Sequence, residues 1–329
     1  MPGAGRDAPA ADLRRRPRPI TGPGRAAPGV PGCPCAVASL RRVSVQNGTP
    51  VSIRHFTDPG CPFAFSAERQ RLRLAWLYGD QIDWTTHLVV LREESSPEWP
   101  HAEGYKALQA RYGMPIDWSP RPRLSATVQA CRAVAAARRH APESAATLLR
   151  RLRVLCFAGH LLDDDETLWR AAREAGVDTT ALRAWTDDPD VEADLRADMR
   201  AARSPSPASR AQDYKLGGPP EERRYTCPSY ELERSSPPPE DWPTAGRVDL
   251  PGFRPIEAYE AALANLAPEL TRRPDPEDVE TVLEWAGMPL ATAEVAAVCD
   301  RDVPDVRAEL ARAAARFEPV GGDGYWSLA

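Results

Sequence analysis

The stretch FTDPGCPFAFSAE, Phe56 to Glu68, marks the change from a strand pattern to a helix pattern, and it is the most informative signal of the fold. It overlaps an apolar run, Val51 to Thr57, whose length and composition are typical of a β-strand. Asp58-Pro59-Gly60 is a turn signal that ends this strand. From Pro62 to about Tyr78 apolar residues recur at helical spacing, and proline suits a first helical turn because its missing N–H has no partner there. The pattern predicts a strand-to-helix turn with Cys61 at the start of the helix.

The elements around this turn predict an α/β fold. Ile82–Leu91 is predicted to be a second strand, parallel to the first. Tyr225–Glu233 is predicted to be a short strand with a proline near its start, and Arg247–Leu250 an edge strand. An amphipathic helix follows at Ile256–Leu270. With the long helical region between the second and third strands, this is the element order of a thioredoxin-like fold with a large helical insertion.

Composition divides the chain into four parts. Residues 1–48 are rich in Pro, Gly and Arg without hydrophobic periodicity, which predicts a disordered basic tail. Residues 49–95 and 204–270 are predicted to form the thioredoxin-like domain, residues 96–203 the helical insertion, and residues 271–329 a C-terminal acidic helical module. Within the insertion, apolar spacing and terminating glycines predict helices at Leu124–His140, Glu143–Gly159, Asp164–Gly176 and Asp190–Arg203.

The C-terminal module is winged-helix-like in its order of elements. Helices are predicted at Pro276–Gly287, Ala291–Val298 and Val303–Phe317, followed by a Gly-rich hairpin. From Thr271 to Ala329 there are six arginines and twelve acidic residues, a net charge of −6, whereas a DNA-binding surface needs cations that face phosphates. We therefore expect a packing module or a surface for a protein partner.

Charge and cysteine usage exclude several classes of function. The net charge of −5 argues against nucleic-acid or anionic-membrane binding by the whole protein. Seven cysteines, an odd number at irregular spacing, do not match a secreted disulfide framework. No apolar run is long enough for a membrane span or a signal peptide, so we expect a cytoplasmic protein with reduced thiols. Forty arginines against two lysines are typical of a GC-rich genome, such as an actinobacterial one.

The segment Asp58-Pro59-Gly60-Cys61-Pro62-Phe63 resembles the active-site turn of the DsbA-like thioredoxin-fold family. The likeness is to the branch of FrnE-type oxidoreductases, 2-hydroxychromene-2-carboxylate isomerases and kappa-class glutathione transferases, and it covers about residues 50–270. YTCPSY, with Pro228, is similar to the cis-proline segment of that family. The resemblance implies thiol chemistry at Cys61 and a small thiol cofactor, glutathione or mycothiol.

Two positions depart from the family pattern. Family oxidoreductases usually carry a second cysteine three residues after the first, and here that position is Ala64. The isomerase branch tends to have serine at the reactive position and to use the thiol of glutathione, whereas this chain has Cys61. Ordinary dithiol chemistry within the turn is therefore excluded, and a cycle with a single cysteine and an external thiol is the expectation.

Cys61 is the candidate nucleophile. A helix start favours the thiolate, and Pro62 leaves the next backbone amides free to face the sulfur. Asp58 would oppose ionisation if it lay close, and we expect it to cap the turn. The alternative interpretation is that Cys61 is a small buried apolar residue.

Cys227 is the second candidate catalytic residue. The resemblance implies that substrate main chain, or a thiol tripeptide, pairs with the residue before the cis-proline, and here that residue is Cys227. We hypothesise that it resolves the intermediate in place of a cysteine at position 64; a space-filling role is the alternative. Pro62, Phe63 and Pro228 are predicted to contact substrate. The five histidines and the CPC of Cys33 to Cys35 have no metal-site spacing, so no metal is expected.

Three functions remain open from the sequence. The first is a thiol-dependent oxidoreductase acting through Cys61, the second a glutathione- or mycothiol-dependent isomerase or transferase, and the third a non-catalytic scaffold that binds a protein partner through residues 271–329. Fast alkylation of Cys61 would favour the first two over the third.

Overall fold

A four-stranded mixed sheet organises the thioredoxin-like part of the computed structural model, which describes residues 49–97, 102–235, 246–313 and 315–328. The strands of the described chain are β1 Val51–Thr57, β2 Ile82–Leu88, β3 Leu216–Gly217, β4 Arg224–Tyr225, β5 Ser229–Arg234, β6 Arg247–Leu250, β7 Leu290–Ala291, β8 Ala315–Val320 and β9 Asp323–Leu328. Four of them form this sheet, in the order β2-β1-β5-β6. β1 and β2 are parallel, and β6 lies at the edge, as predicted.

The described chain has thirteen α-helices, and seven of them lie between β2 and β3. They are α1 Pro62–Ser66, α2 Glu68–Tyr78, α3 Ala102–Tyr112, α4 Val128–His140, α5 Pro142–Phe157, α6 Asp165–Glu174, α7 Thr179–Thr186, α8 Pro189–Ala202, α9 Pro207–Arg210, α10 Ile256–Leu266, α11 Val279–Ala286, α12 Thr292–Cys299 and α13 Val303–Arg312. The four predicted insertion helices correspond to α4, α5, α6 and α8, whereas α3 and α7 were not predicted individually. None of the described helices is long and apolar enough to cross a membrane.

The described residues belong to one compact unit. The whole of the predicted tail, residues 1–48, lies outside the described residues, as do Cys33 and Cys35. The predicted thioredoxin-like α/β fold with a helical insertion is confirmed.

Among the predicted boundaries that were wrong, three have a clear physical reason. The helix expected from Pro62 to Tyr78 is two helices, because Ala67 caps α1 and precedes α2. The second strand ends at Leu88, since Val90 adopts the left-handed conformation with φ of 54° and the chain leaves the sheet. The helix expected at Val303–Phe317 ends at Arg312, because Phe317 pairs with Trp326 across the hairpin β8–β9, with ring centroids 4.5 Å apart.

The largest hydrophobic core lies in the helical insertion. α4 buries a run of alanines, and small side chains of this kind allow α5 to approach closely. The core reaches the turn through Phe65, whose ring stacks on Phe157 at 4.5 Å between centroids. Phe65 is therefore a core residue, as expected, and it holds α1 against the insertion.

The C-terminal module shares a core with α2. Leu72, Trp76 and Leu77 of α2 pack with Val295 and Val298 of α12. Arg73 of α2 also donates to the Val298 carbonyl oxygen at 2.6 Å. Only Ala67 separates α2 from α1, so this packing holds α12 against the helix that continues from the Cys61 turn.

Candidate active site

Asp58 holds the turn that carries Cys61. Its Oδ1 accepts a hydrogen bond from the Gly60 N–H at 2.7 Å, and its Oδ2 accepts from the Leu91 N–H at 2.8 Å and the Thr127 hydroxyl at 2.7 Å. A Cβ at position 60 would lie 2.6 Å from Arg92 Nη2 and 2.7 Å from Thr127 Cγ2, so only glycine fits there. The expected capping role of Asp58 is confirmed, and the carboxylate ties the turn to the end of β2 and to the start of α4.

Cys61 is the N-cap residue of α1, and its side chain is 6% exposed. A hydrogen bond with the Cys227 thiol is the largest influence that lowers the pKa of Cys61 below its ordinary value, and the N–H groups of Ala64 and Phe63 act in the same direction. Burial and the nearby Asp58 carboxylate oppose them. Hydrogen bonds, including those from the N–H groups of the first turn of α1, therefore stabilise the thiolate.

Cys227 lies opposite, immediately before a cis peptide bond to Pro228. Its carbonyl oxygen is 3.2 Å from Cys61 Sγ, within reach of the Cys61 S–H. Burial, followed by the hydrogen bond and charge of Cys61, raises the pKa of Cys227 well above its ordinary value. The pKa of Cys61 is thus shifted down and that of Cys227 up, so Cys61 is the thiol of the pair that ionises first.

The remaining described cysteines lie in the core. Cys131, Cys156 and Cys299 are buried, and burial raises the pKa of each thiol. All three pack within hydrophobic clusters of the core. Cys131 does more than fill space, because its sulfur lies 3.7 Å from Asp58 Oδ2 and its S–H can donate to that carboxylate.

His55 is buried in β1 and stacks on Tyr230, with ring centroids 4.7 Å apart. Burial, with the charge of Arg153 second, lowers the pKa of His55 well below its ordinary value, so the ring is neutral. Its Nε2 has no hydrogen-bond partner among the described residues. The core position was expected, but the unpaired nitrogen was not.

The site opens into a cleft of about 1080 Å³ beside Cys227 and Phe63. Phe63 is 43% exposed, so its ring stands at the mouth of the cleft rather than in the core. The segment that precedes α10 and the α12–α13 junction contribute to the walls. Leu216 of β3 and Thr226, which directly follows β4, also line it.

Three cations of this cleft, Arg69, Arg111 and Lys215, were missed from the sequence. They are far apart along the chain and follow no common periodicity. The one local signal is that two of them adjoin a tyrosine, Tyr112 or Tyr214, over whose ring the cation lies. Such pairs occur on many surfaces, so the signal was too weak to predict a site.

Comparison with known proteins agrees with this geometry. The family model of the DSBA-like thioredoxin domain matches residues 52–206. A putative protein disulfide isomerase from Nitrosomonas europaea has a similar structure, with 15% sequence identity and a TM-score of 0.50 over 67% of this chain and 98% of that one. A probable DsbA oxidoreductase from Streptomyces coelicolor matches at 20% identity and a TM-score of 0.48, over 69% and 94% of the two chains. No protein of the curated set matches the sequence.

The family match contains β1, the Cys61 turn and the helical insertion, and it ends before Pro228. The sheet returns the cis-proline to the turn because β5 pairs antiparallel with β1. The DSBA-like family model therefore matches the part of the chain that carries the Cys61 turn, in agreement with the resemblance seen in the turn sequence.

Proposed function

We propose that this protein is a thiol–disulfide oxidoreductase in which Cys61 is the nucleophile and Cys227 the resolving thiol. The observation that carries the proposal is the position of Cys61 at the start of α1, with its Sγ 3.2 Å from the carbonyl oxygen of Cys227, together with the opposite pKa shifts of the two thiols. A thiolate attacks a disulfide, whereas a neutral thiol reacts far more slowly. In this proposal Cys227 supplies the second thiol that the turn lacks, since position 64 is alanine.

The reaction proceeds by two exchanges. The Cys61 thiolate attacks one sulfur of a substrate disulfide, a Cys61–substrate disulfide forms, and the first substrate thiolate leaves. Cys227 then loses its proton and attacks Cys61 Sγ, so the Cys61–Cys227 disulfide forms and the second substrate thiolate leaves. Two substrate thiols are the reduced product, each having taken up one proton, and the protein dithiol is the species oxidised.

A low-molecular-weight thiol of the glutathione or mycothiol class completes the cycle. Two such thiols reduce the Cys61–Cys227 disulfide and are themselves joined as a disulfide. This direction requires a reducing compartment, so we propose the cytoplasm as the place of action. A partner for residues 271–329 remains a prediction that nothing in the described structure tests.

The geometry around Cys61 can be tested by mass spectrometry. One equivalent of diamide should give a peptide pair joined by a Cys61–Cys227 disulfide in the wild type and in the Cys299→Ala control. The Cys227→Ala variant should instead retain a mixed disulfide on Cys61 after treatment with bis(2-hydroxyethyl) disulfide. Absence of the linked pair in the wild type would refute the resolving role, and absence of any adduct on Cys61 would refute the oxidoreductase itself.

A further inference from the structure

We propose that a second cavity, between the sheet and the α4–α5 pair, binds a small aliphatic carboxylate. The cavity has a volume of about 290 Å³ and is lined by residues of β1, β2, α2, α4 and α5, with Trp285 of α11 as a further wall. Within the described chain it shares no lining residue with the cleft beside Cys227. The proposed site is therefore separate from the chemistry of Cys61 and does not depend on it.

One face of β1 and β2 forms the floor of this cavity. His55 pairs with Thr86 across the two strands, and both residues line the cavity. Side chains alternate between the two faces of a strand, so Phe56 lies on the opposite face, where it packs with Cys61 and Cys227. The cavity thus lies on the face of the sheet that is turned away from the cluster that holds the reactive thiol.

Two buried nitrogen atoms at the cavity have no partner. His55 is 3% exposed, and its Nε2 forms no hydrogen bond within the described residues. Arg153 is 1% exposed, and its terminal nitrogens bond Glu68 and the Thr57 hydroxyl, but its Nε–H is also unpaired among those residues. Both side chains line the cavity. An unpaired buried donor is unfavourable, so a ligand with acceptor oxygens at this end would satisfy the two nitrogens.

The charges at this end of the cavity favour an anion. Burial opposes the ionisation of Glu68, but neighbouring arginines lower its pKa to about 2. These arginines are Arg71, Arg153 and Arg150. Arg150 also pairs with Glu294, so three guanidinium groups face two carboxylates. One positive charge is left in excess beside the unpaired nitrogens, which favours a ligand with a single carboxylate.

Two acidic residues lie at the other end of the cavity. Asp83 of β2 is three residues from Thr86, the partner of His55, or about 10 Å along the strand. Asp80 precedes β2 and is exposed. Water and salt screen charges at the surface, so these carboxylates act little on the buried end. The carboxylate of the ligand therefore lies at the His55 end, and its chain points toward Asp80 and Asp83.

The walls between the two ends are largely aliphatic. Ala75 of α2, Val134 of α4, and Ala146 and Leu149 of α5 line them. Methylene groups of a ligand are stabilised against such walls in proportion to the area that they remove from water. An apolar cavity of about 150 Å³ holds benzene, so this larger one has room for a carboxylate with a chain of about six to eight carbon atoms.

Isothermal titration calorimetry of the full-length protein tests the site, with hexanoate, 1-hexanol and butyrate as probes. We expect one molecule of hexanoate to bind per chain. 1-Hexanol has a chain of similar length but no charge, and it should bind at least about tenfold more weakly. Butyrate lacks two methylene groups and should bind about 15-fold more weakly. Equal binding of hexanoate and 1-hexanol would overturn the proposal, as would a lack of hexanoate binding, which would mean that the cavity holds water only.

Two variants locate the bound hexanoate. Ala146→Phe fills the cavity and should abolish binding, whereas Glu143→Phe adds the same side chain at an exposed position of α5 outside the cavity and should leave the affinity unchanged. His55→Phe removes the unpaired nitrogen and should weaken binding about tenfold. His160→Phe, at an exposed histidine outside the cavity, is its matched control. Unchanged affinity in both Ala146→Phe and His55→Phe would exclude this cavity as the site.

Cys61→Ser separates this site from the proposed oxidoreductase. The variant lacks the reactive thiol but keeps every residue of the cavity, so it should bind hexanoate as the wild type does. Loss of binding in this variant would show that hexanoate occupies the cleft beside Cys227 instead, and it would overturn the inference. Failure of the wild type to exchange disulfides would refute the proposed function and leave hexanoate binding unaffected.

Discussion

Arg150 of α5 and Glu294 of α12 form a buried two-point ion pair, with Nη1 2.5 Å from Oε1 and Nη2 2.8 Å from Oε2. Arg150 is also 3.7 Å from Glu68, which bonds Arg153. Arg153 in turn donates to the Thr57 hydroxyl at the end of β1. The pair therefore joins the C-terminal module to the helical insertion, and through Glu68 to the helix that follows the active-site turn.

Removing one partner of this pair should be strongly destabilising. We expect Glu294→Gln to lower the free energy of unfolding by ~3 kcal/mol or more, because Arg150 would be left buried with a weakened counter-charge. Urea unfolding measures the effect. Glu103→Gln, which removes the exposed pair with Lys106, should cost less than ~1 kcal/mol. Equal effects of the two substitutions would contradict the buried role of Glu294.

The neutral His55 should make stability depend on pH near neutrality. Burial lowers the pKa of His55 well below 6.5 in the folded state, so below pH 6.5 the unfolded chain binds a proton that the folded protein does not. Stability should therefore fall as pH falls, by up to ~1.4 kcal/mol per pH unit from this group. Urea unfolding at pH 7.5 and 5.5 should show a smaller loss for His55→Phe than for the wild type. An identical loss would mean that His55 is protonated in the folded state.

The Cys227 thiol should hold Cys61 reactive. Because its hydrogen bond is the largest influence that lowers the pKa of Cys61, Cys227→Ala should raise that pKa. Iodoacetamide alkylation of Cys61 at pH 7 should then slow by up to about tenfold, whereas its rate at pH well above the ordinary thiol pKa should be unchanged. Cys299→Ala should alter neither rate. Unchanged alkylation at pH 7 would show that the backbone amides alone stabilise the thiolate.

The two chemical steps should respond differently to pH. Cys61 has the lowered pKa and Cys227 the raised one, so attack on a disulfide should level off at lower pH than resolution by Cys227. Stopped-flow mixing with bis(2-hydroxyethyl) disulfide should show a second phase that keeps accelerating as pH rises to about 9 and beyond. If both phases have the same pH midpoint, the opposite pKa shifts are incorrect.

Part of the active site could be predicted from the sequence, because its signals are local. The turn Asp58-Pro59-Gly60 and Pro62 specify a strand that ends and a helix that begins around Cys61, whatever the rest of the chain does. The resemblance of YTCPSY to a cis-proline segment predicted that Cys227 would lie near Cys61, and the structure brings the two residues together. Their roles as nucleophile and resolving thiol remain proposals.

The charged residues of the interior and the cleft could not be predicted in the same way. Arg150, Glu294 and Glu68 come from three helices, and nothing in the periodicity of any one helix selects a partner on another. Phe317 likewise follows a stretch with helical periodicity. It lies in β8 nevertheless, because it pairs with Trp326 of β9. Contacts of this kind depend on the whole fold, which overrides local propensity.

The sequence by itself determined the thioredoxin-like order of elements, the turn that presents Cys61 and the proline opposite it. Only the tertiary structure decided which sulfur ionises, because that depends on the hydrogen bond from Cys227 and on burial of both groups. It also decided that three cations meet in one cleft without carboxylate partners among the described residues. Hydrogen bonds, burial and charge pairing act through space between residues distant in the chain, and they exist only once the elements have packed.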